Sequence, residues 1–349
     1  MTTTPFAING FGRIGRALAR VAQERSSLEL VAINDLAEPA LLAHLLERDS
    51  VHGRFPGRVE VERDAILLEG RRVEVFREPE PQKIPWQTTE ARAVVEATGA
   101  LRADRATAAA GHLRLEGGPR RVLVSAIAPD ADLMLCPGIR GPHEERLHAP
   151  DVRVISHASC TSHCLALLID VLDRAFGVER AMMNEIHSYT GNQSLVDGVN
   201  PDARRARAAA INIVPTFTAA PQAVERVMPH LAGRLSGMAV RVPTPNVALL
   251  ELYATLGQNV DRERVLESFR AAEEDRLAGL LGVSDQPLVS SDYLSDPRSA
   301  VVDSEWVQAS DGQCRVLAWY DNEWGYTHRL ADLLERLDAP APAQRNSSR

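Results

Sequence analysis

A glycine pattern near the N-terminus constrains the fold of this chain more than any other feature. The short apolar run Phe6–Ile8 leads directly into Asn9–Gly15, which has the spacing G-x-G-x-x-G, and an amphipathic helical pattern follows. Gly10 suits a tight turn, Gly12 permits close approach of a pyrophosphate, and Gly15 permits close packing of helix on strand. Strand, glycine turn and helix in this order predict a dinucleotide-binding unit.

An acidic residue follows at the position that such a unit requires. The apolar run Leu30–Asn34 reads as a second strand and ends at Asp35, 20 positions after Gly15. A carboxylate at that strand end accepts hydrogen bonds from the adenosine ribose and repels a 2′-phosphate. Asp35 therefore favours NAD as the dinucleotide.

Small or hydroxylated residues end two more predicted strands. The runs 93–99 and 121–125 are apolar and finish in Thr98, Gly99 and Ser125. In an open α/β sheet, ligands bind beyond the carboxyl ends of the strands, so these residues are candidate cofactor contacts. Each of them is equally compatible with an ordinary turn.

Cys160 is the candidate nucleophile. It lies between the strand-like run Val152–Ile155 and the helical run Leu165–Phe176, at a predicted helix start. Unpaired backbone N–H groups and the positive end of the helix dipole favour a thiolate there. A free cysteine is also commonly a small buried core residue, so position alone leaves both interpretations open.

Three further segments carry candidate functional residues. His187 closes a strand-like run, and a thiol nucleophile needs an imidazole partner near neutral pH. Arg241 lies inside an apolar strand, where an arginine is costly unless it meets an anion or a carboxylate. Gly191–Arg207 lacks periodicity and is predicted as a long ordered loop, and Pro215–Ala220 favours an anion site or a plain helix cap.

Composition and charge narrow the class of protein. With 349 residues, 45% hydrophobic content and a net charge of −8, the chain is typical of a globular protein with two domains and is not expected to bind nucleic acid. It shows no secretory signal and no membrane-spanning run, which predicts a cytoplasmic protein. The cysteines lack the paired spacing of a zinc site, so we expect no metal and free thiols at Cys136, Cys160, Cys164 and Cys314.

Several ordered motifs resemble those of phosphorylating glyceraldehyde-3-phosphate dehydrogenases, from about Phe6 to about Leu337. They are INGFGRIGR (8–16), HLLERDSVHGRF (44–55), ASCTSHC (158–164), HSYT (187–190), RRARAAAINIVPT (204–216), RVPTPNV (241–247) and WYDNEWGY (319–326). The resemblance implies an α/β fold, with a Rossmann NAD-binding domain and an α+β catalytic domain that has a mostly antiparallel or mixed sheet. The implied boundaries are 5–159 with 322–338 for the first domain and 160–321 for the second, and residues 339–349 are expected to be a disordered tail.

The resemblance also implies roles for individual residues. Cys160 would attack an aldehyde carbon, His187 would act as base while hydride leaves for the nicotinamide, and inorganic phosphate would attack the resulting thioester. The cofactor would be held by Arg13, Ile14, Asp35 and Asn322. One anion site is implied at Thr190, Arg205 and Arg241, and the other at Ser159, Thr161, Thr218 and Ala219. A homotetramer is implied, with the 191–207 segment near a neighbour's cofactor.

Some positions depart from the family pattern. His163 stands where the family has asparagine, and Ala219 stands where it has glycine, which would crowd the attacking phosphate. The pair Gly198-Val199 replaces the residues that disfavour NADP, so NADP use stays open beside NAD.

Two alternative functions follow from these departures. Asp321–Gly325 and Asp296–Asp303 resemble erythrose-4-phosphate dehydrogenases, whereas Tyr189-Thr190 and Thr216–Ala220 favour the triose enzyme. A non-catalytic NAD-binding protein would explain the altered site residues, but it does not explain why the candidate nucleophile and base are both kept. A cysteine hydrolase conflicts with the dinucleotide fingerprint.

Overall fold

The computed structural model describes residues 3–100 and 104–338, so the predicted tail at 339–349 lies outside the described residues. The strands are β1 (Thr4–Asn9), β2 (Leu28–Asn34), β3 (Arg48–Asp49), β4 (Gly53–Arg54), β5 (Val59–Glu62), β6 (Ala65–Leu68), β7 (Arg71–Phe76), β8 (Ala93–Glu96), β9 (Arg121–Val124), β10 (Leu133–Met134), β11 (Val154–Ser156), β12 (Val178–Ser188), β13 (Val214–Thr216), β14 (Leu235–Val242), β15 (Ala248–Leu256), β16 (Leu281–Ser284), β17 (Ala300–Asp303), β18 (Gln308–Ser310) and β19 (Gln313–Tyr320). The helices are α1 (Arg13–Gln23), α2 (Pro39–Glu47), α3 (Arg105–Ala109), α4 (Pro142–Glu145), α5 (Cys160–Phe176), α6 (Ala220–Val227), α7 (Arg262–Glu274) and α8 (Trp324–Asp338).

The N-terminal half of the chain forms a nine-stranded sheet in the order β10-β11-β9-β8-β1-β2-β7-β6-β5. Its strands run parallel from β10 through β7, and β5 and β6 add an antiparallel edge. All six residues of β1 are buried, as expected for a central parallel strand whose two faces are both covered. The alternating pattern of Val59–Phe76 predicts strands with a turn at Glu69-Gly70. This turn is confirmed, and both residues have positive φ, at 51° and 77°.

The C-terminal half forms a mixed sheet in the order β13-β14-β12-β15-β19-β17-β16, with β18 paired to β19. The strand β12 lies between the parallel β14 and the antiparallel β15. One mainly parallel sheet and one mixed, mostly antiparallel sheet confirm the predicted fold class.

Helix α5 joins the two sheets and packs into the core of the second. It starts four residues after β11, and the side chain of its N-cap residue Ser159 accepts a hydrogen bond from the Ser162 N–H at 3.1 Å. Gly177 ends the helix at a φ of +72°, a conformation that glycine adopts without strain. Among residues 3–100 and 104–338, no helix is both long enough and apolar enough to cross a membrane.

Two helix boundaries differ from the sequence-based prediction. The amphipathic pattern of Asp261–Leu280 predicts a helix over that range, but α7 ends at Glu274 because the chain turns through Leu277, which is fully buried, to begin β16. The run Thr327–Leu337 predicts the closing helix, but α8 begins at Trp324 because Asp321 Oδ1 accepts from the Trp324 N–H at 2.8 Å and caps it. Residues 189–208, described throughout, contain no helix or strand, which agrees with the predicted long loop.

Candidate active site

The glycine turn packs tightly against the protein at Gly10 and Gly15 and leaves open space beside Gly12. Gly10 has a φ of +92°, and a Cβ there would lie 2.6 Å from the Thr98 backbone. A Cβ on Gly15 would lie 2.3 Å from the Gly10 carbonyl oxygen, so α1 packs directly on the turn. A Cβ on Gly12 would meet no atom within 4 Å. The turn therefore leaves room at Gly12 for a ligand to approach the backbone.

These residues fit a dinucleotide cofactor. Gly12 is the N-cap of α1 and offers no side-chain cap, so the N–H groups of Arg13 and Ile14 at the helix start can serve an anion. Asp35 lies beside them, and its Oδ2 accepts from the Phe11 N–H at 2.8 Å. An open glycine, a helix N-terminus and a carboxylate are the parts that bind a pyrophosphate and a ribose.

Three predicted cofactor contacts lie at the carboxyl ends of neighbouring strands. The Thr98 N–H donates to the Glu96 side chain at 3.0 Å, and Ser125 Oγ donates to the Glu96 carbonyl at 2.9 Å. Gly99 is exposed and has a φ of +64°. Since β1 pairs with β8 and β8 with β9, these residues share the sheet edge of the glycine turn, and their contact with a cofactor stays a prediction.

Asn322 connects the two halves of the site. Its Oδ1 accepts a hydrogen bond from Ser188 Oγ at 2.9 Å, and Ser188 directly follows His187. The amide of Asn322 is thereby fixed beside the candidate base, where it was expected to meet the nicotinamide.

Cys160 and His187 form a close pair between the start of α5 and the end of β12. Cys160 is the first residue of α5, His187 is the penultimate residue of β12, and the Sγ to Nε2 distance is 3.7 Å. His187 Nδ1 lies 2.7 Å from the Ser188 carbonyl oxygen, and the tautomer that donates to this carbonyl presents the Nε2 lone pair to the thiol. Arg241, paired with His187 in register on β14, places Nη1 2.7 Å from Nδ1 and donates to the same Ser188 carbonyl at 2.8 Å. A guanidinium can only donate, so Nδ1 accepts from Arg241 in the other tautomer, in which Nε2 carries the proton.

The charges of this pair differ from the sequence-based expectation. Burial raises the pKa of the Cys160 thiol well above its ordinary value, and the Glu185 carboxylate raises it further. The Thr161 N–H at the helix start and Arg241 do lower this pKa, but they are outweighed. Burial, assisted by Arg241, lowers the pKa of His187 to about 4. Burial and the Glu185 charge thus favour a neutral thiol at Cys160, whereas the helix start alone favours a thiolate.

The sequence analysis missed a buried carboxylate next to this pair. Glu185 is 2% exposed, and its Oε1 lies 3.7 Å from His187 Nε2. Tyr320 OH donates to Oε1 at 2.6 Å, and Thr161 Oγ1 donates to the same oxygen. Because alternate residues of a strand share a face, the two-residue spacing between Glu185 and His187 was the signal available in the sequence.

The first predicted anion site is partly assembled. Arg241 lies beside His187, and its buried Nε has no hydrogen-bond partner among the described residues. Arg205 Nε donates to Thr216 Oγ1 at 2.9 Å, and Thr190 Oγ1 donates to Asn192 Oδ1 at 2.8 Å. Of this set, the contacts bring only Arg241 directly to the Cys–His pair, and the roles of Arg205 and Thr190 stay predictions.

The second predicted anion site has its hydroxyls engaged within the protein. Ser159 caps α5, and Thr161 Oγ1 donates to Glu185. Thr218 Oγ1 accepts from the Ala220 N–H at 3.3 Å, while Ala219 is the N-cap residue of α6 and offers no side-chain cap. Anion binding here would rely on backbone N–H groups and remains a prediction.

His163 points away from the thiol. Its ring stacks on Tyr326 with centroids 5.2 Å apart, and its Nε2 donates to the His157 carbonyl at 2.9 Å. Burial lowers its pKa to about 3. His163 is thus part of the packing beneath the start of α5 and does not contact Cys160 in the way that His187 does.

A glycine turn suited to NAD and a close Cys–His pair are the features of an NAD-dependent oxidoreductase, and the nucleophile role of Cys160 stays a prediction. Family models described as "Glyceraldehyde 3-phosphate dehydrogenase, NAD binding domain" and "Glyceraldehyde 3-phosphate dehydrogenase, C-terminal domain" match residues 4–104 and 159–322. The chain belongs to the glyceraldehyde-3-phosphate dehydrogenase family.

Named relatives match over nearly their whole length. A glyceraldehyde-3-phosphate dehydrogenase of Kitasatospora aureofaciens is 46% identical, with 96% of this chain and 99% of the relative covered. Glyceraldehyde-3-phosphate dehydrogenase 1 of Bacillus subtilis (strain 168) is 44% identical, with 93% and 96% covered. The enzyme of Geobacillus stearothermophilus is 43% identical, again with 93% and 96% covered.

Proposed function

We propose that this protein catalyses the NAD-dependent phosphorylating oxidation of glyceraldehyde 3-phosphate to 1,3-bisphosphoglycerate. The observation that carries the proposal is the Cys160–His187 pair, with Arg241 beside it and a glycine turn that fits NAD in the same molecule. The relatives described above carry the name of this enzyme, which supports the same substrate.

Cys160 would attack the aldehyde carbon while its proton passes to His187 Nε2, giving a hemithioacetal. The Thr161 N–H, which contacts Sγ at the start of α5, and the imidazolium of His187 would stabilise the developing oxyanion. NAD, when bound, supplies the hydride acceptor. His187 would return this proton to the oxyanion, giving the hydroxyl of the hemithioacetal, and would take it again as the hydride leaves and the thioester forms. A phosphate oxygen would then attack the acyl carbon, the C–S bond would break, and Cys160 would recover its proton from His187.

Arg241 suits the role of an anion ligand. Its Nε is buried without a partner among the described residues, and a buried unpaired guanidinium nitrogen is costly unless a ligand meets it. Arg205 is one of the positive charges that lower the pKa of His187, which supports its place near the same site. We assign the substrate phosphate or the attacking phosphate to this side of the pair.

The test is NADH formation by the purified protein with glyceraldehyde 3-phosphate, with and without inorganic phosphate, beside the variant Cys160→Ser. Fast phosphate-dependent turnover that the variant loses is expected. Erythrose 4-phosphate and NADP serve as comparison substrates. Preference for the tetrose, or turnover that ignores phosphate, would overturn the proposal in favour of an erythrose-type enzyme. No NADH from either sugar would favour a non-catalytic NAD-binding protein.

We also propose a homotetramer. Large apolar side chains are exposed along and just after the 191–207 loop, as expected of a surface that another copy covers. They are Leu195, Val196, Val199, Ile211, Ile213 and Phe217. Light scattering should give four times the chain mass, and Phe217→Asp should lower it; a monomeric wild type would contradict the proposal.

The domain boundaries and the location follow the same family pattern. We propose an NAD-binding domain at 5–159 with 322–338 and a catalytic domain at 160–321. The separate sheets support this division, as does the ion pair between Arg25, just after α1, and Asp332 on α8. We also propose a cytoplasmic location, supported by the four free cysteines.

A further inference from the structure

Glu185 is a buried carboxylate that the proposed chemistry does not use. It lies two residues before His187 on β12, so both side chains leave the same face of the sheet. Burying a carboxylate is costly unless it is paired. Among the described residues, His187 is the side chain that can form an ion pair with Glu185 when it is protonated, with Nε2 3.7 Å from Oε1, and the charge of Arg241 also acts on the carboxylate.

Two hydroxyl groups hold this carboxylate in place. Tyr320 OH donates to Oε1 at 2.6 Å and lies 3.2 Å from Thr161 Oγ1, which donates to the same oxygen. Burial, with the Glu185 charge next, raises the pKa of Tyr320 well above its ordinary value, so this phenol stays a donor. Thr161 is the neighbour of Cys160 on α5, which ties the carboxylate to the element that carries the nucleophile.

His187 therefore lies between opposite charges. Glu185 Oε1 faces Nε2, and Arg241 Nη1 faces Nδ1. The carboxylate raises the pKa of His187, while burial, Arg241 and Arg205 lower it. The charged and titratable groups that face Glu185 and His187 are Cys160 and Cys164 on α5, Arg241 on β14, Tyr320 on β19 and Arg205 in the 191–207 loop.

We propose that Glu185 is a positioning residue, whose carboxylate stabilises the protonated form of His187 against the charge of Arg241. The inference rests on the proposed function. When the Cys160 proton moves to Nε2, the new imidazolium faces Oε1 at 3.7 Å. Burial and Arg241 weaken His187 as a base, and the Glu185 carboxylate offsets part of that weakening. The same carboxylate opposes the thiolate, which keeps the resting pair neutral until substrate arrives.

The test compares Glu185→Gln with wild type by two readouts. The amide removes the charge but still accepts from Tyr320 and Thr161. A weaker base should lower kcat about tenfold, with KM changed less, and the acidic limb of the kcat profile should move down by about one pH unit. The pH midpoint of Cys160 alkylation should also fall, because a negative charge next to the thiol is lost.

Two further variants serve as controls: one should shift the kcat profile in the opposite direction, and the other should shift neither midpoint. Tyr320→Phe removes a donor and leaves more negative charge facing His187, so the acidic limb should move up. Glu251→Gln removes a carboxylate from β15, where Glu251 is paired in register with Asn184 rather than with Glu185, and it should change neither midpoint.

Each outcome decides a different claim. Loss of activity in Glu185→Gln without movement of either midpoint would overturn the inference and leave Glu185 a structural residue, as would unchanged kcat. If the wild type forms no NADH, the proposed function fails, but the alkylation midpoints still decide whether Glu185 controls the charges of the pair. Thermal melting of each variant confirms that it is folded.

Discussion

Arg13 in the glycine turn donates to both carboxylate oxygens of Glu323, a residue 310 positions further along the chain, at 2.8 and 2.5 Å. Its second partner, Asp49, binds Nη1. His52 Nε2 lies 2.9 Å from Glu323, so the contact joins the turn to the start of α8. The Arg13 side chain thus fixes the first turn of α1 to the last helix, which leaves the backbone N–H of Arg13 as its predicted cofactor contact.

Arg13→Met should lower the free energy of unfolding at pH 7 by about 1–2 kcal/mol, since solvent screens the partly exposed guanidinium. Against burial, the backbone N–H of His52 and the Arg13 guanidinium hold the pKa of Asp49 near 2, and Arg13 lowers the pKa of Glu323. Depressed carboxylate pKa values stabilise the fold above pH 4 and stop doing so as pH falls toward 2. Urea unfolding should therefore show variant and wild type converging at acid pH.

The exposed Arg63 is the matched control for this comparison. Its side chain is 95% exposed, and its ion pair with Asp64 is long, at 4.0 Å. Arg63→Met should therefore change the free energy of unfolding by less than about 0.5 kcal/mol. If Arg13→Met lowered the free energy of unfolding by the same amount at pH 7 and pH 2, lost packing rather than lost charge would be responsible.

Limited treatment with iodoacetamide should label Cys160 before the other three cysteines. Cys160 keeps part of its surface accessible, whereas Cys136, Cys164 and Cys314 are buried. Mass spectrometry of the digested protein identifies the labelled position, and loss of NADH formation should follow the fraction of Cys160 modified. Labelling of Cys164 first, or labelled protein with full activity, would contradict the assigned nucleophile.

Two alanine variants of the glycine turn should separate folding from cofactor binding. Gly15→Ala places a methyl 2.3 Å from the Gly10 carbonyl and should cost about 1–3 kcal/mol of stability. Gly12→Ala meets no atom within 4 Å, so the fold should tolerate it, but its methyl enters the space kept for the pyrophosphate. Melting curves and the KM for NAD distinguish them. Equal loss of stability in both variants would contradict the open space beside Gly12.

His163→Asn should make the protein less sensitive to acid. Burial lowers the pKa of His163 in the folded protein to about 3 from an ordinary value of 6.5, so unfolding takes up a proton below pH 6.5. A lowered histidine pKa destabilises the fold increasingly as pH falls from 6.5 toward 3, by up to about 1.4 kcal/mol per pH unit. The variant should show a shallower dependence of unfolding free energy on pH between 6.5 and 4. An unchanged slope would contradict burial of a neutral His163.

The local features of the site could be predicted from the sequence. The spacing of Gly10, Gly12 and Gly15 follows from backbone geometry alone, and the start of α5 at Cys160 follows from neighbouring residues and a serine cap. Such signals lie within one turn or one helix end, where sequence order and spatial order agree. The two-residue spacing of Glu185 and His187 was also present, but nothing local indicated that a nucleophile faced them.

Long-range contacts and burial were decided by the tertiary structure. Only the packing of α5 on the second sheet brings Cys160 to His187 and encloses Glu185 beside both, and this burial favours a neutral thiol where the helix start alone favours a thiolate. The sequence by itself determined the fold class and the glycine turn, and it predicted Cys160 and His187 as nucleophile and base, because these signals lie in residues close in the chain. The tertiary structure alone decided the burial of this pair, the charges around it and the Arg13–Glu323 link, because these depend on residues that lie far apart in sequence.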